Sequence, residues 1–194
     1  MTAKPSDPHV GLVVEGAGDL GAVPIVLRNY LYSVNVYADI LGKPVPFHGR
    51  DKAIAVNGIE GYVATAAYRP GCRGVMVVLD GEGDCVVERG AELLQRAGGN
   101  VSIPIVVALA DSCFESWMYA SAETLEIGLD YDENKSGLGA IKNAIRPNSY
   151  TKPVWQPRLA SKVDIALARG RDSGFNRFLE RFDALAQLAL RGDL

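Results

Sequence analysis

The sequence predicts an α/β protein with a Rossmann-like, mostly parallel sheet that is flanked by helices and followed by C-terminal helices. Apolar runs rich in β-branched residues at 10–14, 74–79 and 103–110 suit parallel strands that are buried on both faces. Segments with apolar residues at helical spacing separate these runs, and this alternation is typical of a doubly wound sheet. The composition, 48% hydrophobic and 22% charged in 194 residues, is that of a globular domain with one sizeable core.

The first strand, at 10–14, ends at Glu15 and a glycine-rich turn. Asp19 is in position to cap the helix that follows, in which apolar residues recur at helical spacing up to Leu31. Pro24 falls early enough in this helix to be tolerated.

The middle of the chain alternates between strands and helices. Two prolines within 41–49 permit only a short edge strand or a loop there. Helices are predicted at 57–68 and 86–97, and each is followed by a residue pair that contains glycine. The central strand lies between these two helices, and the strand at 103–110 follows the second.

The pattern changes after residue 128, where Gly, Asn, Lys and Pro dominate up to residue 157 and only 138–145 is a helical candidate. We interpret this stretch as a functional loop or lid, because long structureless connections are uncommon in compact domains. Two closing helices are predicted at 158–168 and 174–190. The expected organisation is therefore a single domain, 1–194, with a sheet core at 1–125, a loop or lid at 126–157 and closing helices at 158–194.

Acidic residues follow all three predicted strands. Glu15 follows the first strand, Asp80, Glu82 and Asp84 follow the central strand, and Glu115 lies a few residues beyond the third. Ligands of open α/β sheets bind beyond the carboxyl ends of the strands, so neighbouring strand ends are expected to bring these acids together. Carboxylates this close repel one another, and a hard cation is the usual remedy. A solvated acidic turn is the alternative for the acids after the central strand.

The pattern Gly16-x-Gly18-x-x-Gly21 matches the dinucleotide-binding fingerprint and follows a predicted strand. That fingerprint places an anionic pyrophosphate at a positive helix N-terminus, which Glu15 and Asp19 would here surround with negative charge. The same two acids suit a divalent metal better than a dinucleotide.

Other catalytic and metal-binding motifs are incomplete. The spacing of Asp80, Glu82 and Asp84 resembles the start of a calcium loop, but the sixth position is Cys85 and the twelfth is Ala91. The two histidines and three cysteines lack the spacing of a zinc site, a serine triad or a disulfide framework.

Charge and hydropathy limit the location and the partners. The net charge of -3 and pI near 5.4 give no overall electrostatic footprint for nucleic acid, although a local basic patch is compatible with them. Residues 1–8 are predicted to be an irregular start without a signal-peptide core, and no apolar run reaches the roughly 18 residues of a membrane span. We expect a cytoplasmic protein without a membrane segment.

The predicted loop carries cations beyond the acidic cluster, namely Lys142, Arg146 and Lys152, and Arg158 follows it. Cations opposite a metal-binding cluster suit a phosphate-containing substrate. For each of them singly, a solvated surface position is the alternative.

Taken together, three motifs resemble the Toprim fold of topoisomerases, primases and OLD-family nucleases. They are Val13-Val14-Glu15-Gly16 with Asp19, Asp80-Gly81-Glu82, and Phe114-Glu115-Ser116-Trp117. The chain more closely resembles a bacterial family of small, stand-alone Toprim-like proteins of unknown function. The resemblance covers nearly the whole chain, including 149–152 and 173–175, and implies a single Toprim-like domain.

The resemblance implies metal-dependent phosphoryl transfer by a nuclease that uses Mg²⁺ or Mn²⁺. Glu15 would act as general acid or base or as a metal ligand, and Lys152, or second Lys142, would lie near the scissile phosphate. The remaining metal ligands would be Asp19, Asp80, Glu82, Asp84 and Glu115.

The chain departs from the family pattern at two points, and the altered acidic pair favours an alternative. The expected Asp-x-Asp pair is Asp80-x-Glu82 here, and glycines stand at 81 and 83 where the related family carries a denser acidic run. The alternative is a non-catalytic regulatory partner of an ATPase. Nucleic acid, with DNA favoured, is the expected substrate; the strandedness and the oligomeric state stay open, and a role in anti-phage defence is an analogy with OLD-type relatives.

Overall fold

The computed structural model describes residues 7–99 and 101–191, and a four-stranded, wholly parallel sheet with the order β2-β1-β3-β4 lies at its centre. The strands are β1 (His9–Val14), β2 (Val45–Pro46), β3 (Cys72–Asp80) and β4 (Ile105–Ala110). The predicted α/β class with a parallel sheet flanked by helices is confirmed. Of the predicted irregular start, residues 1–6 lie outside the described residues.

The helices connect the strands and then close the domain. They are α1 (Asp19–Ser33), α2 (Arg50–Ile54), α3 (Gly58–Ala67), α4 (Val86–Gly98), α5 (Phe114–Tyr119), α6 (Gly137–Ala144), α7 (Lys152–Ala160), α8 (Ile165–Arg171) and α9 (Ser173–Leu190), with a short 3₁₀ turn at Ala122–Thr124.

Burial of the central strand β3 on both faces explains why its sequence is a continuous apolar run instead of an alternating one. Met76 and Val78 face a core on one side of the sheet, whereas Val75 and Val77 face a second core on the other side. Because successive side chains of a strand point to opposite faces, a strand covered on both faces needs apolar residues at every position.

The two cores differ in size. The smaller one lies under α3 and α4, where Ile59, Val63 and Leu93 are fully buried. The larger one lies under α1, α5, α8 and α9, and its aromatic centre is Trp117, which stacks on Phe178 at a centroid distance of 4.7 Å. The larger core fixes α1 and α5, which begin at the carboxyl ends of β1 and β4.

The region from residue 152 onwards differs from the prediction. The predicted loop extended to residue 157 and the predicted helix covered 158–168, but α7 already begins at Lys152 and a separate α8 begins at Ile165. Pro153 is tolerated because it lies in the first turn of α7, where a backbone N–H has no partner within the helix. The side chain of Asp164 accepts a hydrogen bond from the Leu167 N–H and so starts α8 as a new helix.

A further helix, α2 at Arg50–Ile54, falls between predicted elements. Its five residues are too few to give a periodic apolar pattern, so the sequence does not predict it. Within the part of the chain that the structure describes, no helix is both long and apolar enough to cross a membrane.

Candidate active site

The carboxyl ends of β1 and β3 bring two acids into direct contact through the backbone. The N–H of Asp80 donates to Glu15 Oε2 at 2.9 Å. On its other side, Asp80 Oδ1 accepts a hydrogen bond of 2.7 Å from the N–H of Phe114, the first residue of α5. Asp80 is therefore hydrogen-bonded to residues that follow β1 and β4, the two neighbours of β3, in agreement with the prediction that neighbouring strand ends meet.

Asp19 joins this pair from the start of α1. Its Oδ2 accepts a hydrogen bond of 2.9 Å from the Gly16 N–H, and the residue is only 5% exposed. The prediction that Asp19 caps α1 is wrong, because Gly18 occupies the N-cap position and the Asp19 carboxylate folds back onto the preceding turn. This position directs the carboxylate toward the strand ends. We call Glu15, Asp19 and Asp80 the acid cluster.

Helix α7 supplies a cation to the acid cluster. Lys152 Nζ lies 2.9 Å from Asp80 Oδ2, although the two residues are 72 positions apart in the chain. Burial alone would lower the pKa of Lys152, but attraction by Asp80 outweighs it and raises the pKa above its ordinary value. The Lys152 ammonium is therefore charged at neutral pH.

Glu115 lies behind the acid cluster and is fully buried. Its Oε1 accepts hydrogen bonds from the Tyr150 hydroxyl at 2.6 Å and from Gln156 Nε2 at 3.0 Å. Its Oε2 forms no hydrogen bond with any described residue. Burial, followed by the Glu115 charge, raises the pKa of Tyr150, which keeps the hydroxyl protonated as a donor.

The acid cluster holds its protons more tightly than ordinary carboxyl groups. Burial, then repulsion by Asp80, raises the pKa of Glu15 to about 7 and that of Asp19 to about 6. Burial also raises the pKa of Asp80, even though Lys152 opposes the shift. Ionising all three carboxylates near neutral pH is therefore costly unless a cation compensates for them.

Glu82 and Asp84, which the sequence also predicts as ligands, contact arginines instead of the acid cluster. Glu82 adopts a left-handed backbone conformation with φ of 51°, and its carboxylate lies 3.6 Å from the Arg50 guanidinium. Asp84 is ion-paired with both Arg50 and Arg89. Arg89, then Arg50, lowers the pKa of Asp84, in contrast to the raised pKa values of the acid cluster.

Arg50 lies between the acid cluster and the pair Glu82 and Asp84, and it contacts both. Its Nε donates to the backbone oxygen of Asp80 at 3.2 Å while its terminal nitrogens contact Glu82 and Asp84. Arg50 has no local sequence signal, because it stands in the unpredicted helix α2 about 30 positions before its partners. Tyr150 and Gln156 were likewise not assigned a role from the sequence.

The acid cluster fits a hard divalent cation by its chemistry. Among residues 7–99 and 101–191, no group of three or more His, Cys, Asp or Glu side chains is already arranged to hold a metal ion. Carboxylate oxygens are nevertheless the ligands that Mg²⁺ and Mn²⁺ prefer, and the mutual repulsion within the acid cluster and the unpartnered oxygen of Glu115 both favour a cation. Glu82 and Asp84 do not fit in this conformation, because guanidinium groups already neutralise them.

The glycine pattern near the N-terminus has a packing role. A Cβ atom on Gly18 would lie 1.8 Å from Gln156 Oε1 and 2.8 Å from the Lys152 Cβ, and one on Gly21 would lie 2.8 Å from the Pro157 ring. These glycines therefore let α7 approach the start of α1. Because α7 occupies the space in which a dinucleotide would approach α1, the packing opposes the dinucleotide alternative.

A cavity larger than the space at the acid cluster lies elsewhere on the molecule. It measures about 280 Å³ and is a groove between α4, β4 and α9, lined mainly by apolar side chains together with Arg177 and Arg181. Since its lining holds no carboxylate or other proton-transfer group, we place the candidate site at the acid cluster despite the narrower space there.

No family model and no curated protein matches this chain. Similar solved structures include three of the C-terminal region of the Xanthomonas campestris pv. campestris OLD protein, phased with iodine, mercury and platinum. Their sequence identities are 15%, 14% and 16%, and their TM-scores are 0.44, 0.44 and 0.43. Each match covers 93% of this chain, and 97%, 97% and 95% of the respective neighbour. Identity at this level assigns the chain to no specific family.

Proposed function

We propose that this chain is a nuclease, or a related phosphodiester-transfer enzyme, of the Toprim and OLD type that works with Mg²⁺ or Mn²⁺. The observation that carries the proposal is the juxtaposition of a charged Lys152 with the acid cluster, at a Nζ to Asp80 Oδ2 distance of 2.9 Å. Metal-dependent phosphoryl transfer uses acidic side chains that bind a divalent metal ion. It also uses a positively charged side chain that binds the phosphate.

In this proposal Asp19 and Asp80, with Glu115 behind them, would hold the metal, and Glu15 acts as the base. A bound divalent cation supplies positive charge against the phosphate oxygens. Lys152 donates a hydrogen bond to a non-bridging phosphate oxygen. Glu82 and Asp84 are left out of the proposed ligand set because Arg50 holds both of them.

Hydrolysis forms a bond between the oxygen of the attacking water and phosphorus, and it breaks the bond from phosphorus to the leaving oxygen. Glu15 takes up the proton that the water releases, and the leaving oxygen takes a proton from solvent.

The test is cleavage of supercoiled plasmid and of short single-stranded DNA and RNA with Mg²⁺, Mn²⁺ or EDTA. We expect cleavage that requires metal and is lost in Asp80→Asn. Asp39→Asn is a suitable control, because the Asp39 side chain is 82% exposed, pairs with Arg28 and precedes Ile40, which hydrogen-bonds to Val10 near the amino end of β1. Intact substrates under all metal conditions, or an active Asp80→Asn protein, would contradict the proposal.

The second candidate function is a non-catalytic partner of an ATPase. The ion pair of Arg50 with Glu82 favours it, because it engages the second carboxylate of the Asp80-x-Glu82 pair, which the resemblance to Toprim enzymes expects to bind the metal. Measurable Mg²⁺ affinity by calorimetry without turnover on any nucleic acid would support this candidate, whereas multiple-turnover cleavage would exclude it.

We further propose that residues 1–194 act as one Toprim-like domain in the cytoplasm, that DNA is the substrate, and that residues 126–151 move as a lid. Limited proteolysis with and without a DNA oligonucleotide tests the lid, since bound substrate should protect the segment. A role in defence against phage stays an analogy.

A further inference from the structure

Beside the acid cluster, α7 carries an aromatic and cationic pair that the proposed chemistry does not use. The Arg158 guanidinium lies over the ring of Trp155, with its carbon 5.1 Å from the ring centroid. The Trp155 ring is partly exposed, and its Nε1 donates to the backbone oxygen of Ser149 at 3.1 Å. The indole is thus held at the surface by a cation over one ring face and by a hydrogen bond at its edge.

The pair lies next to Lys152 on the helix surface. Gln156, Leu159 and Ala160 form the buried face of α7, and Arg158 lies on its exposed side. At 3.6 residues per turn, Trp155 is about 60° around the helix from Lys152 and about 4.5 Å along it. A group held by Lys152 therefore has Trp155 as its neighbour.

No acid among the described residues compensates the charge of Arg158. Among the described residues, neither Arg158 nor the preceding loop cations Lys142 and Arg146 forms an ion pair with a carboxylate. Arg169 and Arg171 also lie over aromatic rings, but Arg171 pairs with Glu123. The Trp155–Arg158 pair thus combines an accessible ring with a cation that is available to a phosphate.

We propose that Trp155 and Arg158 form a stacking platform for one unpaired nucleobase next to the phosphodiester held at Lys152. Aromatic rings and arginine planes bind any base by its face, and such faces are accessible only in single-stranded or locally unpaired nucleic acid. The substrate class is therefore unpaired nucleic acid. This inference rests on the proposed function, because it takes a phosphodiester to be the group at Lys152.

The competing explanation is structural: a Trp–Arg pair three residues apart stabilises an isolated helix without binding a ligand. The two explanations differ in their consequences for strandedness. A helix-stabilising pair affects the binding of single strands and duplexes equally, whereas a stacking platform affects single strands alone.

The test is a fluorescence titration with a 12-nucleotide oligothymidine and with a duplex of mixed sequence, in buffer with Ca²⁺ in place of Mg²⁺ to slow cleavage. The chain has two tryptophans, and Trp117 is only 1% exposed, so Trp155 reports the contact. We expect the oligothymidine to quench the emission of Trp155. By anisotropy of a labelled strand, Trp155→Ala should weaken single-strand binding about tenfold or more, since one stacked base commonly contributes that much.

Two variants separate stacking from folding. Trp155→Phe keeps an aromatic face but loses the bond to Ser149, and we expect it to retain most of the affinity. Val154→Ala changes an exposed neighbour on the same helix, 53% exposed, and should bind like the unaltered protein. Unfolding temperatures of all variants show whether α7 stays intact.

The outcomes for the platform and for the nuclease are distinguishable. Binding that depends on Trp155 without any cleavage supports the platform and contradicts the nuclease. Cleavage that is unaffected by Trp155→Ala, or an equal loss of single-strand and duplex binding, overturns the platform and leaves the nuclease standing.

Discussion

Two groups of acids follow the strand ends of this protein, and they differ in environment although they are close in sequence. Asp80 belongs to the buried acid cluster, where burial and repulsion raise the pKa of the carboxyl groups. Asp84, four residues later, is held by two arginines that lower its pKa. The difference shows that spacing alone does not identify a metal site, because a neighbouring cation can satisfy an acid before any ligand does.

The largest expected effect of this difference is on catalysis. Asp80→Asn should reduce metal-dependent cleavage by at least about 100-fold, because it removes a charge that holds the cation against the phosphate. Asp84→Asn, the matched variant from the second group, should leave the rate within about twofold, since Arg50 and Arg89 already neutralise that carboxylate. Initial rates on a plasmid substrate measure both, and equal losses in the two variants would remove the distinction.

The second-largest expected effect is on stability, because the acid cluster depends on the packing of α7 against α1. Gly18→Ala would force a Cβ to within 1.8 Å of Gln156 Oε1, and we expect a loss of about 1–3 kcal/mol in the free energy of unfolding. Gly61→Ala is the matched control, because its Cβ would meet no atom within 4 Å and alanine favours the helix. Urea denaturation measures both, and an unchanged midpoint for Gly18→Ala would mean that α7 does not approach α1 this closely.

The pH dependence of stability should follow the acid cluster. The pKa values of Glu15 and Asp19 rise on folding from 4.5 to about 7 and from 3.8 to about 6, so the folded protein binds more protons in this range. The resulting stabilisation is fully present below the unfolded values and is lost as the pH rises through 6 to 7. The unfolding temperature without metal should therefore be a few degrees higher at pH 5 than at pH 8.

Two measurements sharpen this prediction. Glu15→Gln removes one titrating group and should flatten the profile between pH 5 and 8. Added Mg²⁺ should raise the unfolding temperature more at pH 8 than at pH 5, because ionised carboxylates bind it. A profile that rises from pH 5 to pH 8 without metal would contradict the raised pKa values.

The smallest expected effect concerns Arg50. Arg50→Gln frees Glu82, whose side chain is 57% exposed, but leaves Asp84 paired with Arg89, so we expect the Mg²⁺ affinity to change by less than about fivefold. Calorimetric titration with Mg²⁺ measures it. Much tighter Mg²⁺ binding by this variant would show that Glu82 and Asp84 are ligands that Arg50 keeps from the metal. The two groups of acids would then form one metal site.

Much of the fold could be predicted because its signals are local. The strands β1 and β3 appear as apolar runs, and α9 appears as an amphipathic pattern that Asp172 caps through the Phe175 N–H. The first part of α7, residues 152–157, was predicted as loop because its prolines mask the helix, and its stability comes from packing against α1. Tertiary contacts thus override the weak local preference in that segment.

The sequence by itself determined that the chain forms a parallel sheet and that Glu15 and Asp80 meet at its carboxyl edge, because the side-chain pattern fixes the strands and parallel strands end together. The tertiary structure decided which charges neutralise which. Lys152 reaches Asp80 from 72 positions away, and Arg50 reaches Asp84 across 34 positions, so no local pattern records either contact. The interaction of two charges depends on their distance and burial in space, and only the packing of α2 and α7 sets these.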